Sequence, residues 1–379
     1  MSKIYLDHAS TTPLDGEILE KMLPYLKEDF GNADSLHSFG RRAMSGVDFA
    51  RDKVADLIQA KPNEVYFTSG GTESNNWAIL SGAFSKKTEG KTHVVICAIE
   101  HHSCLHVGEV LQKEGFDVTY LPVNEGGRVE VNVYKEAITE KTGLVAVMLA
   151  NNETGVIQPI EECCAIAHQK GALFFTDAVQ YAPYRPIDVR KLNVDMLSFS
   201  AHKFYGPKGA GVLYIKNGVK MQPLIGGGQQ ERGLRGGTLN VANIVGLACA
   251  YEKTVKNLSN INEKLILLRD LFLKEISVLD NVYINGKADG LPSILNLRIE
   301  RVDHTALIHS LDLQGIALSA GSACASASIK PSHVLMAMGL TKTQAKECVR
   351  ISFGKNNTVE EVVFAGKCFV NTVQKLRKN

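Results

Sequence analysis

Between residues 17 and 251, short apolar runs alternate with amphipathic helical patterns, and this alternation constrains the fold more than any other feature. The runs fall at 94–98, 118–122, 144–150, 173–176, 196–200 and 211–215. Strands with so little polar alternation are covered on both faces, the condition of a mostly parallel sheet with helices on either side. An α/β fold follows. The 379 residues, 45% of them hydrophobic, exceed what one core usually serves, so two domains are expected. Helical periodicity resumes at Ala242 and continues into a charged stretch from 253 to 274. Short strands such as 293–299 then alternate with helices, which reads as a smaller α/β domain from about residue 260 onward.

Ala172-Leu173-Phe174-Phe175-Thr176 reads as a buried strand that delivers Asp177-Ala178-Val179-Gln180 to the C-terminal edge of the sheet, where open α/β sheets place ligands. Alone, an aspartate there is often only a helix N-cap. Further on, Ser198-Phe199-Ser200-Ala201-His202-Lys203-Phe204-Tyr205-Gly206 sets one lysine among small, hydroxylated and glycine residues after another strand-like run. Alone, it also fits a solvated lysine in a surface turn. Together the two segments meet the needs of pyridoxal 5'-phosphate chemistry. Lys203 offers an amine for a Schiff base, and Ser200 and His202 offer a hydroxyl and a cation to the phosphate. Asp177 would keep the pyridinium nitrogen protonated so that the ring accepts electrons, and Gln180 would bond the ring oxygen. Thr68-Ser69-Gly70-Gly71-Thr72-Glu73-Ser74 follows the strand-like 64–67 and precedes a helical pattern, so its backbone N–H groups form a nest for an anion. Elsewhere such a turn is commonly just a cap.

Asp177-Ala178-Val179-Gln180 with Ser200-Ala201-His202-Lys203 resembles the cysteine desulfurases of the NifS/IscS type, class V aminotransferases with the fold type I pyridoxal phosphate architecture. The resemblance runs nearly end to end, through Tyr5-Leu6-Asp7-His8-Ala9-Ser10-Thr11-Thr12-Pro13, Thr68-Ser69-Gly70-Gly71-Thr72-Glu73-Ser74-Asn75-Asn76, Glu100-His101-His102-Ser103 and Asn151-Asn152-Glu153-Thr154-Gly155. Arg235-Gly236-Gly237-Thr238-Leu239 and Gly321-Ser322-Ala323-Cys324-Ala325-Ser326-Ala327 complete it. It implies a large domain over 14–259 and a small domain of 1–13 with 260–379 that carries the nucleophile. L-cysteine would yield L-alanine and a persulfide on Cys324, with Lys203 and His101 catalytic beside it. Gly71 and Thr72 would hold the phosphate together with Thr238 from the neighbouring subunit, making a homodimer with a shared active site. His101 would stack on the ring and shuttle protons. Asn152 would reach the cofactor edge or the substrate carboxylate, which Arg350 would grip with two prongs. Asn32 matches a family position near the substrate, but Ala33 and Asp34 stand where the family usually has proline and serine. The sulfur would pass to an acceptor protein, an iron–sulfur scaffold or a tRNA-thiolation enzyme. Set against the family, the chain is expected to lack the longer C-terminal tail that some members use to dock a scaffold, since it ends soon after Asn371-Thr372-Val373-Gln374.

The segment around Cys324 is built from small residues that pack little surface, so it is expected to be mobile and to carry its thiol exposed, as suits a sulfur carrier. Full ionisation of an ordinary thiol would gain only about 1.4 kcal/mol, whereas positioning supplies up to roughly 7–11 kcal/mol. Placement should therefore govern its reactivity. A selenocysteine lyase or an aminotransferase of the same family need not place a cysteine in such a segment, and a non-catalytic scaffold would need neither Lys203 nor Asp177. The eight cysteines form no Cys-x-x-Cys pair, which argues against zinc ribbons and redox centres, and Cys97, Cys163, Cys164 and Cys249 lie in apolar patterns that suggest burial. His102 and His106, one helical turn apart near His101, read as ordinary polar positions, so no metal site is expected. A net charge of +2 without basic clusters argues against nucleic acid. The N-terminus lacks the apolar stretch of a signal peptide and no run suits a membrane span, so a cytoplasmic enzyme is expected.

Overall fold

The computed structural model describes residues 3–286, 289–321 and 331–378. A seven-stranded sheet runs in the order Val65–Thr68, Gly211–Ile215, Met196–Ser200, Leu173–Asp177, Thr142–Ala146, His93–Cys97 and Asp117–Leu121. From Met196–Ser200 to Asp117–Leu121 every neighbouring pair is parallel, and Gly211–Ile215 is antiparallel to both of its neighbours. Successive side chains face opposite layers, which is why these strands are apolar at almost every position. Val95, Val145, Phe174 and Leu197 join the core under helices Ser38–Leu57 and Val241–Lys256. Val94, Leu144, Phe175 and Met196 pack on the other face with Trp77 and Ile79 of helix Gly71–Lys87.

Two elements differ from the sequence expectation. The run at 144–150 is ladder-paired on both sides only to Ala146, because the next strand toward the edge ends at Cys97 and the Glu100 carboxylate takes the Met148 N–H at 2.5 Å. Its other side keeps pairing, with the Leu149 N–H on Asp177 O at 2.9 Å. The long helical pattern beyond residue 242 is two helices, Val241–Lys256 and Leu258–Ile276, broken at Asn257 where φ −113° and ψ 11° leave the helical region.

The remaining core lies around an antiparallel sheet with Ile294–Ile299 between Val282–Asn285 and Cys348–Ser352. Leu268 and Phe272 of helix Leu258–Ile276 meet Phe369 of helix Val359–Lys378 there, together with Ile4 and Leu6 from the N-terminal segment. Strand Ile4–Tyr5 pairs in parallel with Ile316–Ala317, which ties the start of the chain to this core. Among the described residues, no helix is long and apolar enough to cross a membrane.

Candidate active site

The parallel strands all point their C-terminal ends to one edge, and the chain turns there into Glu100–Ser103, Asn151–Thr154, Asp177–Gln180 and Ala201–Lys203. These turns, the start of helix Gly71–Lys87, residues 9–10 and Arg350 enclose a cavity of about 230 Å³. Lys203, Asp177, His101, Gly71, Thr72 and Asn152 line it, as do Gln180, Ser200, His202 and Arg350. Asn32 and Thr238 are exposed and do not line it, and Cys324 lies outside the described residues.

Asp177 ends its strand 4% exposed. Its Oδ1 accepts the Val179 N–H at 2.8 Å and its Oδ2 accepts Asn75 Nδ2 at 2.7 Å. Burial pushes the carboxyl above the usual carboxylate range, while these two bonds and the Lys203 charge pull it back. The Lys203 ammonium donates to the carbonyls of Ala9 and Ser10, each at 2.7 Å. Gln180 Nε2 donates to the same Ala9 carbonyl at 2.7 Å.

His101 caps helix His102–Lys113: its Nδ1 accepts the Ser103 N–H at 3.1 Å. A backbone N–H only donates, so Nδ1 carries no proton and the neutral ring holds its hydrogen on Nε2. Burial, then the Lys203 charge, lowers this imidazole to about 4, and it is neutral near pH 7. Burial and Lys203 likewise lower His202, to about 3, so near pH 7 it is a neutral ring and not the cation expected from the sequence; its Nδ1 lies 3.1 Å from Thr11 Oγ1.

Asn75 stands within the 68–76 motif, where the sequence assigned it no role, yet it joins these groups. Its Nδ2 donates to Asp177 and, at 2.9 Å, to Ser103 Oγ, while its Oδ1 accepts Ser198 Oγ at 2.5 Å. Ser103 Oγ thus accepts from Asn75 and gives its hydrogen to His101 Nδ1, 2.8 Å away. One amide orients both the carboxylate and the imidazole. The signal was its spacing, four residues beyond Gly71 and so on the same helix face.

Arg350 is 1% exposed, with Nη1 on Asn152 O at 2.9 Å and Nη2 on Asp7 Oδ1 at 2.8 Å and Ser10 Oγ at 2.7 Å. Its Nε is buried without a partner among the described residues, so the guanidinium has donor capacity left at the cavity wall.

Several observations fit pyridoxal phosphate. Helix Gly71–Lys87 starts at the cavity without a side-chain cap, so its first N–H groups are available to an anion. A Cβ on Gly71 would lie 2.9 Å from Val179 Cγ2, so only glycine lets this turn pack against the Asp177 segment. A primary amine, a buried carboxylate and a neutral imidazole converge on the same space.

Away from the site, Cys97, Cys104, Cys163, Cys164 and Cys348 are buried. Burial pushes the Cys163 and Cys164 thiols up to about 12. Cys249 is only half-buried, because one side of its helix is open.

The family model described as aminotransferase class-V matches residues 4–363. Cysteine desulfurase IscS of Clostridium botulinum strain Hall is 46% identical over 380 residues, spanning 99% of this chain and 96% of that relative. A solved structure described as a NifS-like protein superposes with a TM-score of 0.92 at 37% identity and covers 100% of both chains. The structure of SspA in complex with cysteine superposes with a TM-score of 0.84 at 36% identity, over 94% of this chain and 100% of the other. With catalytic residue types gathered at one sheet edge and full-length similarity of this degree, the chain belongs to the aminotransferase class-V family, among its cysteine desulfurases of the NifS/IscS type.

Proposed function

We propose that this protein removes the sulfur of L-cysteine, releasing L-alanine and leaving a persulfide on Cys324. The observation that carries this reading is the convergence of Lys203, Asp177 and His101 with the uncapped start of the Gly71–Lys87 helix on one cavity. A relative of 36% identity that was solved in complex with cysteine supports the substrate.

Gly71, Thr72, Ser200 and His202 would hold the phosphate of pyridoxal 5'-phosphate, with Thr238 given by a second copy in a homodimer. Asp177 would hold the ring nitrogen and Gln180, through its second N–H, the ring oxygen. When bound, the cofactor supplies an aldehyde carbon for amines and a ring that accepts the electron pair released at the substrate α-carbon. Lys203 Nζ would serve as the base that takes the proton from the substrate α-carbon. His101 would stack on the ring, with its proton held on Nε2 because Ser103 occupies Nδ1. Arg350 and Asn152 orient the substrate carboxylate; Asn32, exposed in the single chain, is proposed to approach the substrate.

Sulfur transfer balances without an outside oxidant. The Cys324 thiolate forms a bond to the substrate sulfur as the carbon–sulfur bond breaks. That bond's electron pair stays with the β-carbon, which becomes the methyl group of alanine after protonation. The thiol is oxidised to a persulfide and the carbon is reduced. The persulfide then passes to an acceptor, for iron–sulfur assembly or tRNA thiolation, in the cytoplasm. We assign residues 14–259 to the cofactor domain and 1–13 with 260–379 to the small domain. The test is alanine release from L-cysteine by the cofactor-loaded protein. Wild type is expected to turn over and Lys203→Ala to release none; equal rates would refute the reading.

A further inference from the structure

Gly321 and Ser332, which lie on either side of segment 322–331, meet on one side chain. Glu153 is 1% exposed, and its Oε2 accepts the Ser332 hydroxyl at 2.6 Å. The same Oε2 lies 2.8 Å from where a Cβ on Gly321 would stand, so Gly321 packs its backbone directly on the carboxylate. Glu153 is itself fixed. Asn151 Oδ1 accepts the N–H groups of Glu153 and Thr154 at 2.9 and 3.0 Å, and Asn296 Nδ2 donates to Glu153 O at 3.2 Å.

Both ends continue from this carboxylate into the cavity wall. Ser319, two residues before Gly321, exchanges N–H···O bonds of 3.2 and 2.7 Å with Arg350. His333, next to Ser332, lies with Nε2 2.9 Å from the carbonyl of Glu100, the neighbour of His101.

We propose that Glu153 is a positioning residue for sulfur transfer: it holds the two ends of the nucleophile-bearing segment together at the cavity, so that Cys324 works from a fixed base. The proposal rests on the reading that Cys324 takes the sulfur. Bringing the ends of a chain segment together costs entropy, and a carboxylate that keeps them joined moves this cost from each turnover to folding. A buried carboxylate needs donors, and the Ser332 hydroxyl is one of those that Glu153 has.

The test uses cofactor-loaded wild type, Glu153→Ala, Glu153→Gln and Ser332→Ala, the last a mild change that keeps the fold within reach. Alanine release gives kcat and KM, and alkylation of Cys324 by iodoacetamide, read by mass spectrometry, reports the thiol independently of turnover. Glu153→Ala and Ser332→Ala are expected to lower kcat about tenfold, with little change in KM, and to change the alkylation rate several-fold. Glu153→Gln keeps an acceptor for Ser332 and is expected to recover most of the loss. Unchanged kcat and alkylation in Ser332→Ala would overturn the proposal, as would a Gln variant as impaired as the Ala variant. A wild type that makes no alanine would count against the parent reading alone, and the alkylation rates would then decide the positioning role.

Discussion

Asn75→Ala probes the arrangement that orients the site. The substitution removes three side-chain bonds from a residue that is 1% exposed. The bond to the Asp177 carboxylate is worth about 1.5–3 kcal/mol and those to Ser103 and Ser198 about 1 kcal/mol each. The hydroxyls can rotate to other acceptors and water can enter from the cavity, so a net loss of about 2–4 kcal/mol in unfolding free energy is expected. Burial of Asp177 would then be opposed only by the Val179 N–H and the Lys203 charge, which drives its carboxyl further upward. A protonated Asp177 no longer supports a protonated ring nitrogen, so cofactor affinity and turnover should fall together. Urea unfolding of the cofactor-free protein measures the first effect and absorbance titration with pyridoxal 5'-phosphate the second. A variant within about 0.5 kcal/mol of wild type that binds the cofactor equally well would refute the reasoning.

Gly71→Ala places a methyl 2.9 Å from Val179 Cγ2, so cofactor affinity should drop, and Val179→Ala in the same chain should recover part of it by absorbance titration. Glu100 is fully buried and raised to about 8, by burial first and then by the Asp177 charge. Its folded form binds a proton that the unfolded chain has lost, so stability should fall as pH rises from about 5 to about 8. Glu100→Gln should flatten this dependence in thermal melts, and an unchanged profile would contradict it. Thr238→Ala should weaken cofactor retention if a second copy supplies that hydroxyl, and unaltered affinity would remove the cross-subunit role.

The strands of the central sheet were legible because burial on both faces demands apolar residues in short runs, as in 94–98 and 196–200. Asp177 and Lys203 were legible because each follows such a run at the edge where α/β sheets bind ligands. Asn75 was not, since an asparagine within a helix looks the same whether it faces solvent or joins a carboxylate to an imidazole. Its role exists only once the strands ending at Asp177 and Ser200 lie beside its helix. Glu153 was hidden for a related reason: its partners Gly321 and Ser332 are far along the chain and meet it only once the chain has folded. The break at Asn257 escaped notice because hydrophobic periodicity continues on both sides of a single non-helical residue.

The most direct test of sulfur transfer through Cys324 is mass spectrometry of the protein after brief exposure to L-cysteine, with alanine measured in the same sample. The wild type should gain one sulfur atom on the peptide that contains Cys324 and release alanine, whereas Cys324→Ala should gain none and release alanine at a rate lower by several orders of magnitude. Alanine at the wild-type rate from Cys324→Ala, with the extra sulfur on a partly exposed thiol such as Cys249 or Cys368, would contradict the account.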